Sequence, residues 1–350
     1  MLLLQISNKT VGKGFPCFIA AEIGINFNGS LQLAKDSIAA AVESGADAVK
    51  FQNYRTEDFI ADHSLTYEYV SQGKKIVESQ FDMFKRCELC REWLSELAEY
   101  SRKMGVIFHS TPTNVQGVSD LVSIGVPVLK NGSDYLTHLE LIETMGKTSL
   151  PTVISTGMAA LSEIEDAVNA FRNTGNNKLI LLHCTSSYPT PPNEVNLARI
   201  ETLGCAFGCL TGFSDHTEGI VAAVGAAALG AVWIEKHFTI DKNLPGPDHA
   251  MSADPAEFKK LVQAVRALEK NLGNPIIAPT ASEQINRPKF RLSCTAARDL
   301  PAGYALNNED IVYKRPGTGF PPKFKTMFLG KKLVRDIPAG KIIEAEDFIL

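Results

Sequence analysis

Short apolar runs alternate with longer amphipathic stretches along the chain, eight times over. The runs are CFIAAEIGIN (17–26), AVKFQN (48–53), VIFHSTP (106–112), VPVLKNGS (126–133), PTVISTGM (151–158), KLILLHCTSSYP (178–189), GFSDHT (212–217) and AVWIEKHFT (231–239). Their near-continuous apolar character predicts strands covered on both faces, as in a parallel sheet. Between them, stretches such as SLQLAKDSIAAAVESG and LSEIEDAVNAFRNTG carry helical spacing. Ser30 is the expected N-cap of the first, and Gly175 closes the second. Eight β-α units ending near Gly273 argue for an α/β fold of the (β/α)8 TIM-barrel type, with a doubly wound open sheet as the alternative. The longest uncharged apolar stretch, 220–234, is too short to span a bilayer and is broken by glycines. It reads as a buried helix running into a strand.

One connection is long. Residues 54–86 follow the second run and are polar and aromatic, with Tyr67, Tyr69 and Phe81. A barrel loop of this length is expected to be a lid or wall. After Gly273 the chain changes character. NPIIAPTASEQINRPKF carries three prolines and no helical stripe, so 274–290 reads as a linker between a barrel domain (1–273) and a small domain (291–350). The small domain contains a repeat: RDLPAGYALNNEDI (298–311) matches RDIPAGKIIEAEDF (335–348) in register. Pro-Ala-Gly is turn chemistry, so a mostly β and loop domain with approximate internal two-fold symmetry is expected. So small a domain has little core of its own and is expected to dock on something.

Composition narrows the function classes. With 350 residues, 45% hydrophobic and 21% charged, the chain has soluble globular proportions. A net charge of −4 offers no basic excess for a nucleic-acid backbone or an anionic membrane. Residues 1–10 hold only three leucines in a row and no basic start, so no secretory signal is expected. Seven scattered cysteines fit reduced thiols and a cytoplasmic location. Cys87 and Cys90 form a C-x-x-C within a stretch of helical periodicity, with no second pair of that spacing, and read as helix-face thiols.

In a barrel, the polar residues at the C-terminal strand ends form the active site. In order these are Glu22 and Asn26, Lys50 and Gln52, Ser110 and Thr111, Lys130 and Ser133, and Ser155 and Thr156. Ser186, Ser187 and Tyr188 follow, then Ser214, Asp215 and His216, then Glu235, Lys236 and His237. Two lysines on buried strands with a ring of hydroxyls describe a pocket for an anion such as phosphate. His216 and His237, on adjacent strand ends, suit one divalent metal with water and a substrate oxygen, as for Mn²⁺ or Mg²⁺. Glu22, flanked by Ala20, Ala21 and Ile23, is a costly carboxylate without a metal, a lysine or a catalytic duty.

These residues also carry a likeness. EIGIN (22–26), VKFQ (49–52), STP (110–112), STGM (155–158), HCTSSYPTP (183–191), FSDHT (213–217), EKHFT (235–239), GPDH (246–249) and RPGTG (315–319) form an ordered set. In this set the chain resembles the sialic acid synthase family, the enzymes that make N-acetylneuraminate and related nonulosonic acids. The likeness implies a TIM barrel followed by a C-terminal antifreeze-like (SAF) domain. It implies condensation of phosphoenolpyruvate with an open-chain acetamido hexose and water, releasing phosphate. Lys50, Lys130, Thr111, Ser133, Ser155, Ser186, Tyr188 and Ser214 would hold phosphate and carboxylate. Gln52 and Asp248 would meet sugar hydroxyls, and Glu22 would serve the water or the sugar as acid or base. Arg315 would reach a neighbouring subunit's sugar, which implies a domain-swapped homodimer.

The chain departs from the family pattern in three places. Phe27 stands where His is usual, and Ser186 where Asn is common. After Lys130 the run is Asn-Gly-Ser-Asp-Tyr rather than Gly-Ser-Gly-Glu, so Asp134 stands in for that glutamate or Tyr135 packs a more apolar sugar. The expected sugar is thus N-acetylmannosamine or a 2,4-diacetamido-trideoxyhexose, the latter giving legionaminate. The alternatives are another phosphoenolpyruvate-aldose condensing barrel and a non-catalytic carbohydrate-binding protein.

Overall fold

The structure is a computed structural model that describes residues 2–348. It divides into two compact units between Gly273 and Asn274.

The first unit opens with a hairpin of β1 (Leu3–Ile6) and β2 (Lys9–Gly12). Next come β3 (Phe18–Gly24) and β4 (Ala48–Asn53), then a second hairpin, β5 (Thr66–Ser71) and β6 (Lys74–Ser79). The strands β7 (Ile107–Pro112), β8 (Leu129–Asn131), β9 (Thr152–Ser155), β10 (Leu179–Cys184), β11 (Leu210–Asp215) and β12 (Trp233–His237) follow. Among the described residues one sheet has eight strands, all parallel, in the order β7-β4-β3-β12-β11-β10-β9-β8. Its end strands β7 and β8 lie side by side, so the barrel is nearly closed. The apolar stretch 220–234 is helix Val221–Ala228 running into β12.

Strand alternation builds two apolar layers. Outward residues such as Ile19, Val49, Phe51, Phe108 and Ile234 pack with the surrounding helices. Inward residues near the strand starts, among them Phe18, Ala48, Ile107, Val128, Val153, Ile180 and Trp233, fill the barrel. Ile6 and Val11 of the first hairpin join that inner cluster and plug this end. Phe18 stacks on Trp233 with ring centroids 4.2 Å apart. Toward the strand ends the buried inward positions turn polar, with Glu22, Lys50, His109, Lys130, Ser155, Ser214, Glu235 and His237. The change from apolar to polar along the barrel axis sets where chemistry can happen.

Two expectations are corrected. Helical periodicity around the C-x-x-C does not give one helix. One helix ends at Arg86, the next begins at Trp93, and both thiols lie between them. Cys87 is buried, and Cys90 donates to Glu92 Oε2 at 2.7 Å. Within the expected linker, Ala281–Phe290 is a helix. A capping box of Thr280 and Glu283 starts it, and its residues are exposed, as the missing apolar stripe requires. Pro288 is accommodated in its last turn.

In the second unit, β13 (Ser293–Ala296) pairs with β14 (Ile311–Lys314). The sequence repeat becomes reciprocal bonding. Leu300 and Ile337 exchange backbone bonds at 2.9 and 2.8 Å. Asp336 accepts from the Ala302 N–H and Asp299 from the Ala339 N–H, each at 2.7 Å. Arg298 donates to Asp310 and Arg335 to Asp347, at 2.9 and 2.6 Å. Around the axis lies a small core of Leu300, Ile337, Phe328 and Phe348.

Candidate active site

The polar end of the barrel opens into a cavity of about 450 Å³. It gathers Glu22, Lys50, Gln52, Thr111, Lys130, Ser133, Ser155, Ser186, Tyr188, Ser214, His216, His237 and Asp248. Arg315 belongs to the second unit. There it donates to the Phe290 carbonyl at 3.1 Å and lies over the Phe290 ring.

The floor is a net of two lysines and two glutamates. Lys50 Nζ sits 3.0 Å from Glu22 Oε2 and 3.5 Å from Glu235 Oε1, and donates to Thr111 Oγ1 at 3.2 Å. Lys130 Nζ donates to Ser155 Oγ at 2.7 Å and lies 3.7 Å from Glu235 Oε1. Ser214 donates to Glu235 at 3.2 Å, and Gln52 to Glu22 at 2.9 Å. Parallel register explains the convergence, because β4 and β12 both flank β3, with Glu22 level with Lys50 and with His237. Burial is the largest influence on each of these groups. It pushes Glu22 above the usual carboxylate range, and it lowers Lys130. Burial would raise Glu235 too, but Lys130 and Lys50 outweigh it and hold that carboxyl down to about 2. Burial would lower Lys50, but Glu22 and Glu235 outweigh it and raise it.

Beside the floor, Ser133 and Ser186 close on Gly157. The Gly157 N–H donates to Ser133 Oγ at 2.9 Å. A Cβ at 157 would overlap Ser186 Oγ and come within 2.7 Å of Ser133 Oγ. The glycine of STGM thus lets two hydroxyls share one point at the end of β9.

The imidazoles of His216 and His237 have centroids 5.5 Å apart, with the Tyr188 ring 4.1 Å from His216. His216 Nδ1 meets the Thr185 carbonyl at 2.8 Å, which assigns that nitrogen a proton and, in the neutral ring, leaves the lone pair on Nε2. His237 Nδ1 is buried with no hydrogen-bond partner and lies 3.6 Å from Asp248 Oδ2. Burial first, then His216 and Lys50, keep His237 neutral. Burial would also lower His216, but Cys184 and the Thr185 carbonyl raise it. Burial and Glu22 push Asp248 up to about 7. Among the described residues no group of three or more His, Cys, Asp or Glu is arranged to hold a metal. Two imidazole ligands facing an open cavity fit a divalent ion that takes its remaining ligands from oxygen.

The long connection after β4 forms a wall. Tyr54, Phe59 and Phe84 pack edge to face at 5.2–5.6 Å and line the cavity with Tyr67 and Met83. The Tyr54 hydroxyl is spent on the Phe84 carbonyl at 3.0 Å.

Several strand-end residues expected in the ring are not in it. Lys236 pairs with Asp215 at 2.8 Å and donates to the Thr217 carbonyl, away from the cavity. Asn26, Ser110, Thr156 and Ser187 do not line it either. Neighbours of inward residues face outward on a pleated strand, which accounts for Ser110, Asp215 and Lys236. Phe27 packs against Phe51 in the helix layer, so its departure from the family pattern does not touch the cavity. Asp134 and Tyr135 do line it. Glu235, one of the strand-end ring, lies on the inward face with His237 and joins the floor.

Residues 37–276 match the NeuB family and residues 293–349 the SAF domain. The N,N'-diacetyllegionaminic acid synthase of Legionella pneumophila is 40% identical, over 95% of this chain and 94% of its own length. The chain belongs to the NeuB family. Its members include the pseudaminic acid synthase of Helicobacter pylori, 36% identical over 95% of this chain and 98% of that protein. A solved structure, the N-acetylneuraminic acid (sialic acid) synthetase of Leptospira borgpetersenii, is 35% identical with a TM-score of 0.74. It covers 81% of this chain and 95% of its own. The family of nonulosonic acid synthases supplies the class of activity: the chain is an enzyme, a synthase, with the family's barrel and a C-terminal SAF domain.

Proposed function

We propose that this synthase condenses phosphoenolpyruvate with an acetamido hexose and water to give a sialic- or legionaminic-type acid and phosphate. The hexose is of the N-acetylmannosamine or 2,4-diacetamido-trideoxyhexose type. The observation that carries the reading is the floor, where two buried lysines and a cluster of hydroxyls face two neutralisable imidazoles in one cavity. Lys50, Lys130, Thr111, Ser133, Ser155, Ser186 and Ser214 take the phosphate and carboxylate, with Tyr188 over the imidazoles. Gln52 and Asp248 take hydroxyls of the sugar.

Carbon 3 of phosphoenolpyruvate bonds to the aldehyde carbon, and water adds at carbon 2. The bond from carbon 2 to the bridging oxygen then breaks as the carbon-2 hydroxyl becomes the keto carbonyl, and the bridging oxygen leaves with phosphate, which takes the hydroxyl proton. The proton lost by water balances the one gained by the aldehyde oxygen. Glu22, whose burial raises its affinity for a proton, handles that proton. Mn²⁺ or Mg²⁺ on His216 and His237 supplies Lewis-acid polarisation of the aldehyde when bound.

The small domain, bearing Arg315, caps the sugar site of a second copy in a swapped homodimer. A cytoplasmic location fits the free thiols. The test is phosphate release from phosphoenolpyruvate with candidate acetamido hexoses and metal. Release requiring all three components is expected. No release with any acetamido hexose, or release only with phosphorylated aldoses, would reject the reading.

A further inference from the structure

Asp248 sits on the loop that follows β12, and other loops hold that loop in place. The Gly246 N–H donates to Ser71 Oγ at 3.2 Å, and Gln72 Nε2 donates to the Asn243 carbonyl at 3.0 Å. Asn28 Nδ2, after β3, donates to the Pro245 carbonyl at 2.8 Å. Gly246 is held at φ 151°, and a Cβ there would come within 2.8 Å of His249 Cδ2 and 3.0 Å of Asn28 Oδ1. The loop is therefore set to one course, and Asp248 leaves it two residues later, beside His237.

Ser71 and Gln72 form the tip of the β5–β6 hairpin. Gln72 and Gly73 have φ of 52° and 71°, as a two-residue turn of this hand needs. Val70 and Val77 are exposed, so the hairpin has little apolar face of its own. A two-stranded hairpin without such a face is marginal alone. At its base Arg86 and Tyr69 bond Glu78 at 2.5 Å, and at its tip Ser71 and Gln72 reach the Asp248 loop. Tyr67, on the same hairpin, faces the cavity along with Asp248. The hairpin thus ties the aromatic wall to the loop bearing Asp248, while the lysine floor comes from the barrel strands.

We propose that Ser71 and Gln72 are positioning residues for Asp248, and through it for the sugar but not for phosphoenolpyruvate. This rests on the proposed assignment of Asp248 to the sugar. The test compares wild type, Ser71→Ala, Gln72→Ala, the double variant and Ser71→Thr. It measures steady-state phosphate release with each substrate varied, melting temperature, and hydrogen exchange of a peptide covering 243–250.

Each lost bond is expected to raise the sugar KM about fivefold. The KM for phosphoenolpyruvate should stay within about twofold, and melting should fall by no more than about 4 °C, because each variant loses one hydrogen bond, buried for Ser71 and exposed for Gln72. Exchange at 243–250 should quicken, and Ser71→Thr should restore both readouts. An unchanged sugar KM, a parallel rise in both KM values, or unchanged exchange would overturn the proposal. If wild type turned over no acetamido hexose, the functional reading would fall instead, and the exchange arm would still decide whether the tip holds the loop.

Discussion

Gly157→Ala isolates the hydroxyl pair without touching a charge. Gly157 has no left-handed φ, so its backbone admits alanine without strain. The new Cβ would overlap Ser186 Oγ and lie within 2.7 Å of Ser133 Oγ and 3.1 Å of Ser133 Cβ. Both hydroxyls can rotate away, so the fold survives, but they leave the point proposed to hold the anion. Hydrogen bonds to a charged group contribute about 1.5–3 kcal/mol each. Losing one lowers kcat/KM for phosphoenolpyruvate about 10- to 150-fold. The assay is steady-state phosphate release with phosphoenolpyruvate varied at saturating sugar and metal, alongside a thermal melt. A change under about twofold would show that the two hydroxyls do not hold the anion. A collapse of melting temperature would place the effect in the fold rather than the cradle.

Other outcomes follow from the same geometry. Glu235→Gln leaves Lys50 and Lys130 short of a counter-ion, so the free enzyme should lose about 3 kcal/mol of stability. Added phosphoenolpyruvate should recover much of that loss; a melt that neither falls nor recovers counts against the role. His237→Ala should retain the wild-type circular dichroism and lose metal-dependent turnover, and full activity without added metal would contradict the assignment. Asp310 of the second unit is buried, which alone would raise it, yet the Asn307 N–H and Arg298 hold it below the usual range. A lowered folded pKa gives stability that is present above the unfolded value and lost as pH falls through the folded one. Melting of this unit should therefore decline below about pH 4, and Asp310→Asn should flatten the decline.

The eight barrel strands were legible because buried parallel strands announce themselves as apolar runs. The internal repeat was legible because each Arg-Asp-x-Pro-Ala-Gly copy bonds the other. Inward and outward positions were not separated by strand-end reading alone. Lys236 and Asp215 look like site residues beside His237 and His216, yet they satisfy each other behind the sheet. Glu235 is legible as a strand-end residue, but its place between Lys50 and Lys130 depends on the pairing of distant strands. The helix at 281–290 carries no apolar stripe because its exposed faces need none, and only the Thr280 and Glu283 spacing marks it. The bonds from Ser71 to Gly246 and from Gln72 to Asn243 join residues about 170 positions apart, and no local pattern encodes such a pairing.

The proposed condensation requires cleavage between carbon 2 and the bridging oxygen. Phosphoenolpyruvate labelled with oxygen-18 at that bridge tests it directly, in the presence of Mn²⁺ and an acetamido hexose. Labelled phosphate and an unlabelled nonulosonic acid of the expected mass are expected. Unlabelled phosphate, or phosphate released with no carbon-carbon bond formed, would contradict it.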